Sequence, residues 1–215
     1  MTATRQRRTS PWKPIMARMA ALLSEAFAAV LTCRHARAAR FRHPSDWLRL
    51  TLLAGLILTF AVFAIAEALA SPRRIFTDFS GSETLFAGLA IILFIGKIGR
   101  PQIYFDWLLF GATHAGIGLS LLPPEDTAST FSPLAFSGFL IASGALRIWV
   151  GLTADPPAAG GWITSSGCVG LLSGAAVAIA QVWKFPLPAL NVVALDLLLL
   201  GIAIAGFALT LRESK

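Results

Sequence analysis

The stretch LPALNVVALDLLLLGIAIAGFALTL, residues 187–211, decides the fold class, because Asp196 is its one ionisable side chain. An α-helix of about 20 apolar residues is long enough to cross the hydrocarbon core of a bilayer. The whole chain has the same character: 56% of its residues are apolar, 13% are charged, and the mean hydropathy is +0.71. Soluble domains carry about 25% charged residues. The sequence therefore predicts an all-α integral membrane protein.

Apolar runs of spanning length recur along the chain, separated by segments rich in Pro, Gly and charged residues. They lie near residues 48–70, 84–98, 103–122, 131–152, 162–183 and 187–211. None shows the period-two alternation of a lipid-facing barrel strand, so helices are the expected spanning form. We therefore predict six transmembrane helices in a membrane domain of residues 47–212, preceded by a basic cytoplasmic extension of residues 1–46.

The distribution of Lys and Arg predicts the orientation. With the N-terminus in the cytoplasm, ten basic residues precede the first span and five lie in the inner loops and at the C-terminus, against three on the outer side. Positive residues favour the cytoplasmic side, so both termini are expected there. The net charge of +7 is then explained by attraction to an anionic inner leaflet. The basic residues are not interleaved with stacking aromatics, so no nucleic-acid partner is expected.

Three tryptophans recur at similar intervals. Trp47 and Trp107 are 60 residues apart within the repeated tripeptide Asp-Trp-Leu, and Trp162 follows 55 residues later. Each opens an odd-numbered span on the inferred inner side, where an amphipathic ring suits the headgroup level. They are either three independent membrane anchors or the mark of a repeat.

A second correspondence favours the repeat. Gly88 lies nine residues before Lys97, and Gly138 lies nine residues before Arg147. With a Pro-containing outer turn in each unit, the chain reads as three tandem helical hairpins in the same orientation. Lys97 and Arg147, near the inner ends of their spans, are expected to extend to the headgroups as further anchors.

Rows of small residues predict close helix packing, either within the bundle or against another chain in a homo-oligomer or a larger membrane complex. The residues assigned to this role are Gly88, Gly111, Gly116, Gly138, Gly144, Gly167, Gly170 and Gly174.

The N-terminal extension contains a helix-prone segment, residues 15–33, in which Arg18, Glu25 and Thr32 recur every seven residues on one face. An amphipathic helix on the inner leaflet is the preferred interpretation, since four arginines follow it in RHARAARFRH. A targeting peptide and a docking arm for another protein are the alternatives.

Two polar residues lie deep within their spans. His114 is seven residues past Trp107, and Asp196 is ten residues past Pro186 from the opposite side, so both approach the bilayer centre. A carboxylate at that depth costs at least about 2.5 kcal/mol and must pair, take up a proton or face water. Pairing between His114 and Asp196 is the candidate arrangement. Such a pair has either a pH-sensitive function or a structural role as a polar contact between helices, and the remaining alternative is that the two residues lie at different depths.

The segments SGFLIASGALRIW, residues 137–149, and GGWITSSGCVGLLSGAAVAIAQVWKFPLPALNVVALDLLLLGIAIAGFALTLR, residues 160–212, resemble the later helices of the HdeD-like membrane proteins. The resemblance covers residues 45–212 and depends on helix rhythm and small-residue placement. It implies a six-span protein of a bacterial-type inner membrane, with a founding member linked to acid resistance, and it supplies no catalytic residues. The long basic extension departs from the family pattern.

Sequence motifs of catalysis are missing: the chain has no phosphate-binding loop, no HExxH, no G-x-S-x-G and no metal-ligand spacing. We therefore predict no enzyme activity, no cofactor and no metal. The preferred function is that of an HdeD-like protein of envelope stress or acid tolerance. The alternatives are an accessory or assembly subunit of a larger membrane complex, and a small proton or solute conduit.

Overall fold

The computed structural model describes residues 39–40, 46–70, 78–98, 101–122, 133–155, 157–185 and 189–213. Nearly all of them belong to six helices: α1 (Asp46–Ala70), α2 (Asp78–Ile98), α3 (Pro101–Leu121), α4 (Pro133–Leu152), α5 (Pro157–Val182) and α6 (Ala189–Glu213). Two-residue strands β1 (Ala39–Arg40) and β2 (Ala154–Asp155) pair in parallel. The all-α prediction is confirmed. The predicted amphipathic helix within residues 15–33 lies outside the described residues.

Within the described residues, four helices are long and apolar enough to cross a membrane: Asp46–Ala70, Leu134–Leu152, Pro157–Val182 and Leu190–Glu213. Helix α2 contains a shorter apolar stretch, Gly81–Gly96. Glu83 lies within this stretch, and Asp106 and His114 lie within α3. The chain thus forms a helix at each of the six predicted runs, and four of these helices meet the spanning criterion.

The helices associate most closely in the pairs α2 with α3, α4 with α5, and α1 with α6. The predicted hairpins would join α1 to α2, α3 to α4 and α5 to α6. Those neighbours are also in contact, but less extensively. The closest packing between consecutive helices therefore occurs across the predicted inner turns, and the first and last helices pack together.

Paired glycines explain why α2–α3 and α4–α5 are so close. A Cβ atom on Gly88 would lie 2.6 Å from the carbonyl oxygen of Gly111, and one on Gly144 would lie 2.8 Å from that of Gly167. Both distances are shorter than real Cβ contacts, so the backbones approach as closely as they do because these side chains are absent. Each antiparallel pair repeats the contact two turns away, seven residues later on one helix and seven residues earlier on the other, in Gly81 with Gly118 and in Gly151 with Gly160.

The other predicted packing glycines fall into two groups. Gly116 lies against the Phe139 ring, Gly174 against the backbone of Ile141, and Gly170 against the Arg147 side chain. Gly138 differs, because nothing lies within 4 Å of the position that its Cβ would take. The structure therefore gives Gly138 no close helix contact, and its correspondence with the tightly packed Gly88 does not hold.

The three recurring tryptophans all contact the second half of α6. Trp107 is 3% exposed, with its ring centroid 6.0 Å from that of Phe207. This burial contradicts its assignment as a membrane anchor, because the ring packs inside the bundle and not at its surface. Trp162 is 46% exposed and covers Gly206, while the guanidinium of Arg212 lies 5.3 Å from the centre of the Trp47 ring. Anchoring by these two stays a prediction.

Candidate functional site: a buried polar cluster

Four helices bring polar side chains together inside the bundle. His114 comes from α3, Ser143 and Arg147 from α4, Ser166 from α5 and Asp196 from α6. We call these five residues the central polar cluster. None is more than 5% exposed. Because buried polar groups cost free energy unless they are paired, the contacts within the cluster decide whether the bundle is stable.

Arg147 and Asp196 form the ion pair at the centre of the cluster, with Nη2 of the guanidinium donating to Oδ1 of the carboxylate. Arg147 also donates through Nη1 to the Ser166 hydroxyl at 3.0 Å and through Nη2 to the Ser143 hydroxyl at 3.5 Å. One guanidinium therefore connects its own helix α4 to α5 and α6. A charge-assisted bond of this kind is stronger than a bond between neutral groups.

His114 lies beside this ion pair. Its Nδ1 is 3.2 Å from the Ser143 hydroxyl, and its Nε2 is 3.6 Å from Oδ2 of Asp196. The predicted proximity of His114 and Asp196 is thus present, at a distance slightly too long for a hydrogen bond, and Nε2 has no hydrogen-bond partner. Ser143 accepts from Arg147, so its own proton is available for Nδ1. That arrangement puts the proton of a neutral imidazole on Nε2, facing Asp196.

The position of Arg147 contradicts the prediction that it extends to the headgroups. Its side chain is fully buried, whereas an anchor would be exposed at the bundle surface. The direction of side chains in a helix gives the reason: each Cα–Cβ bond tilts toward the helix N-terminus, so Arg147 points back along α4 toward Ser143. The equivalent prediction for Lys97 concerns a side chain outside the described part of the structure.

Aromatic and glycine neighbours shape the cluster. The Phe110 ring meets the His114 ring at a centroid distance of 5.7 Å, and Cζ of Arg147 lies 5.9 Å from the centre of the same ring. A Cβ on Gly170 would lie 2.6 Å from Nη2 of Arg147 and 3.2 Å from Oδ1 of Asp196. The space for the ion pair therefore exists because residue 170 has no side chain.

The sequence also contains a pattern that predicts the buried position of Arg147. Arg147 is the one charged residue within α4, and Asp196 is the one charged residue of α6 before Arg212. A single interior cation and a single interior anion in an apolar bundle are expected to pair with each other. Ser143 and Ser166 were not predicted as polar partners. Ser143 precedes Arg147 by one helical turn, which is the spacing for side chains on one face.

The contacts from Ser143 to His114 and from His114 to Asp196 resemble those of a Ser-His-Asp hydrolytic triad. Catalysis would require a serine that reaches a substrate and an aspartate that hydrogen-bonds the imidazole. Here Ser143 is fully buried, Asp196 is engaged by Arg147, and its Oδ2 is 3.6 Å from His114 Nε2. In this arrangement, hydrogen bonding and charge pairing describe the contacts better than nucleophilic chemistry does.

Comparison of the chain with protein-family models, with curated proteins and with solved structures gives no match. The HdeD-like resemblance therefore stays a prediction, and the polar cluster is the main guide to function.

Proposed function

We propose that this chain is a non-enzymatic protein of a bacterial-type inner membrane, with a role in envelope stress or acid tolerance, and that the central polar cluster responds to protons. The resemblance to HdeD-like proteins suggests the acid-tolerance role. The observation that carries the proposal is the unpartnered Nε2 of fully buried His114, 3.6 Å from a carboxylate that Arg147 already engages.

The proposal includes six membrane crossings. Helices α1, α4, α5 and α6 supply four of them by length and hydropathy. Helices α2 and α3 are 21 residues each, which is about the length needed to span, and their glycine contacts pack them against each other. His114 on α3 then lies within the membrane, where a proton-dependent charge has a large effect on helix packing.

Protonation of His114 changes the partners available to Asp196. With neutral His114, the cluster contains one cation, Arg147, and one anion, Asp196, and its net charge is zero. A proton on His114 adds a second cation facing the same carboxylate. The charged groups that act on His114 are Asp196 from α6 and Arg147 from α4. The imidazolium therefore competes with Arg147 for Asp196, and α3 and α4 are expected to shift relative to α6.

The same geometry favours a proton-responsive element over a conduit. Asp196 is engaged by the Arg147 guanidinium, so a proton relay through this carboxylate would have to break the ion pair. The five cluster residues are also closed off from solvent in this arrangement.

Acid survival of bacteria that depend on this protein tests the proposal. Wild type is compared with His114→Gln, which keeps a polar side chain but cannot become a cation, and with the matched control Thr113→Val on the same helix. Thr113 donates to the backbone of Phe110 and takes no part in the cluster. We expect His114→Gln to lose most of the survival conferred by wild type and Thr113→Val to retain it.

Immunoblots of the membrane fraction establish that all three proteins are present at equal levels. Equal survival for His114→Gln and wild type at equal levels would overturn the proton-responsive role. Isolation in mild detergent gives an independent result: a monomer or homo-oligomer is expected. Other proteins recovered with it at fixed stoichiometry would instead identify an accessory subunit.

A further inference from the structure

Helix α5 has a continuous exposed face of large apolar side chains. These side chains are Trp162, Val169, Leu172, Ile179 and Trp183, the last of which directly follows the helix. At about 3.6 residues per turn they fall within about a third of the helix circumference. Helix α5 also packs against α4 and α6, and this face is the part of it that the bundle leaves uncovered. We call these residues the exposed α5 face.

The exposed α5 face carries no charge. No charged residue occurs from Pro157 to Val182. Ser165, which is exposed three residues after Trp162, donates its hydroxyl to the Trp162 carbonyl at 2.9 Å. A polar group that is hydrogen-bonded within its own helix enters hydrocarbon at lower cost than an unpaired one. The face is therefore suited to contact with lipid acyl chains.

Two tryptophans lie at the ends of this face. Trp162 is 46% exposed and Trp183 is 74% exposed, and they are 21 residues apart. At a rise of about 1.5 Å per residue this separation is about 31 Å, and the hydrocarbon core of a bilayer is about 30 Å thick. Tryptophan is enriched at both headgroup levels because its ring is amphipathic. The spacing therefore matches one exposed indole to each boundary of the hydrocarbon.

The backbone ends α5 at the second of these tryptophans. The amides of residues 183, 184 and 185 donate to the carbonyl oxygens of Ile179, Gln181 and Ala180, at 3.0, 3.3 and 2.8 Å. Lys184 has a φ of 55° and completes this helix cap, although glycine is the residue that adopts such a φ without strain. The cap leaves Lys184 and Phe185 exposed directly after Trp183. A positive charge at this position is suited to the phosphates of lipid headgroups.

We propose that the exposed α5 face binds the acyl chains of bilayer phospholipids, with Trp162 and Trp183 at the two headgroup levels and Lys184 at the headgroup phosphates. Lipid contact along α5 depends on its membrane crossing, which is part of the proposed function. A bilayer fits this face better than a second protein surface does, because an uncharged strip between two tryptophans matches the thickness of hydrocarbon and ends at a cation.

This placement sets the depth of the central polar cluster. Gly170 lies against the buried ion pair, since a Cβ on it would be 2.6 Å from Nη2 of Arg147 and 3.2 Å from Oδ1 of Asp196. Gly170 is eight residues past Trp162, which is about 12 Å inside the hydrocarbon when measured along α5. The ion pair therefore lies close to the bilayer centre, where an unpaired charge costs most.

Tryptophan fluorescence in vesicles measures these depths. Of the six tryptophans, buried Trp107 is kept in every protein and the others are replaced by Phe. Trp162 or Trp183 is then retained beside Trp107, or Leu172→Trp is introduced midway between them, and the protein with Trp107 alone supplies the background. Each full chain is reconstituted into phosphatidylcholine vesicles brominated either next to the headgroup or near the end of the acyl chain, because bromine quenches a tryptophan that it touches.

The two bromine depths give opposite expectations for the ends and the middle of the face. We expect shallow bromine to quench Trp162 and Trp183 about twofold more than deep bromine does, and the reverse for Leu172→Trp. Stronger quenching of Trp183 by deep bromine would overturn the boundary at the end of α5 while leaving its crossing intact. Quenching no greater than that of the Trp107 background at all three positions would overturn lipid contact and assign the face to a protein surface, such as a second copy of this chain. Acid survival of His114→Gln reports on the proton-responsive role independently of these depths.

Discussion

At the scale of single residues, the ion pair between Arg147 and Asp196 determines whether the bundle tolerates charge in its interior. Replacement of Asp196 by Leu leaves the Arg147 guanidinium buried with only Ser143 and Ser166 as partners. Breaking a buried pair on one side typically costs about 3–5 kcal/mol. We expect that loss in the free energy of unfolding, measured by denaturant titration of the protein in detergent.

The double variant Arg147→Met with Asp196→Leu is the matched control. It removes both charges and keeps similar volume, so it should recover most of the lost stability. If Asp196→Leu lowers the free energy of unfolding by less than about 1 kcal/mol, the result contradicts the buried ion pair and indicates that Arg147 extends to the headgroups.

Part of this site is predictable from the sequence. Equal depth on antiparallel segments was enough to predict that His114 and Asp196 lie close together. Depth alone does not predict where the Arg147 side chain lies. From a position five residues before a helix end, a long side chain can extend either to the headgroups or into the bundle. The tilt of side chains toward the helix N-terminus, and the need of Asp196 for a cation, together favour the interior.

At the scale of helices, glycine contacts set the distance between partners. Gly88 and Gly138 offer a direct comparison, since both are helical but only Gly88 faces another backbone. We expect Gly88→Ala to lower the free energy of unfolding by about 1–3 kcal/mol, because the new methyl group forces α2 away from α3. Gly138→Ala should be neutral or stabilising by up to about 1 kcal/mol through helix propensity. Thermal unfolding in detergent measures both, and equal effects would contradict the close α2–α3 contact.

The helices themselves were predictable and their pairing was not. Continuous apolar runs and Pro-rich breaks placed each helix near its observed bounds. The tandem-hairpin interpretation depended on an equivalence between Gly88 and Gly138, whereas the observed contacts match Gly88 with Gly144, each facing a glycine of the following helix. The heptad spacings 81–88, 111–118, 144–151 and 160–167 were visible in the sequence. They define faces on each helix, but which faces meet depends on the three-dimensional packing of all six.

At the scale of the whole molecule, the number of crossings determines where the short α2–α3 connection lies. If all six helices cross, residues 99–100 are on the same side as both termini. If only the four most apolar helices cross, the termini still share a side, but residues 99–100 move to the other. Because Arg147 is buried, it is left out of the fifteen basic residues on the inner side, which leaves fourteen. In the six-crossing arrangement these fourteen face three basic residues on the outer side, which favours this arrangement.

Single cysteines distinguish these two topologies. Cys33 and Cys168 are first replaced by Ser, because Cys168 is exposed and would also react. Gly99→Cys and Thr127→Cys are then introduced separately and treated in intact cells with a membrane-impermeant maleimide. Since Thr127 follows α3 on the predicted outer side in both topologies, its cysteine should be labelled and serves as the positive control. We expect the cysteine at position 99 to react only after the cells are opened, because the basic residues Lys97 and Arg100 retain this connection in the cytoplasm. Labelling of position 99 in intact cells would show that α2 and α3 do not cross, and would remove His114 from the membrane interior.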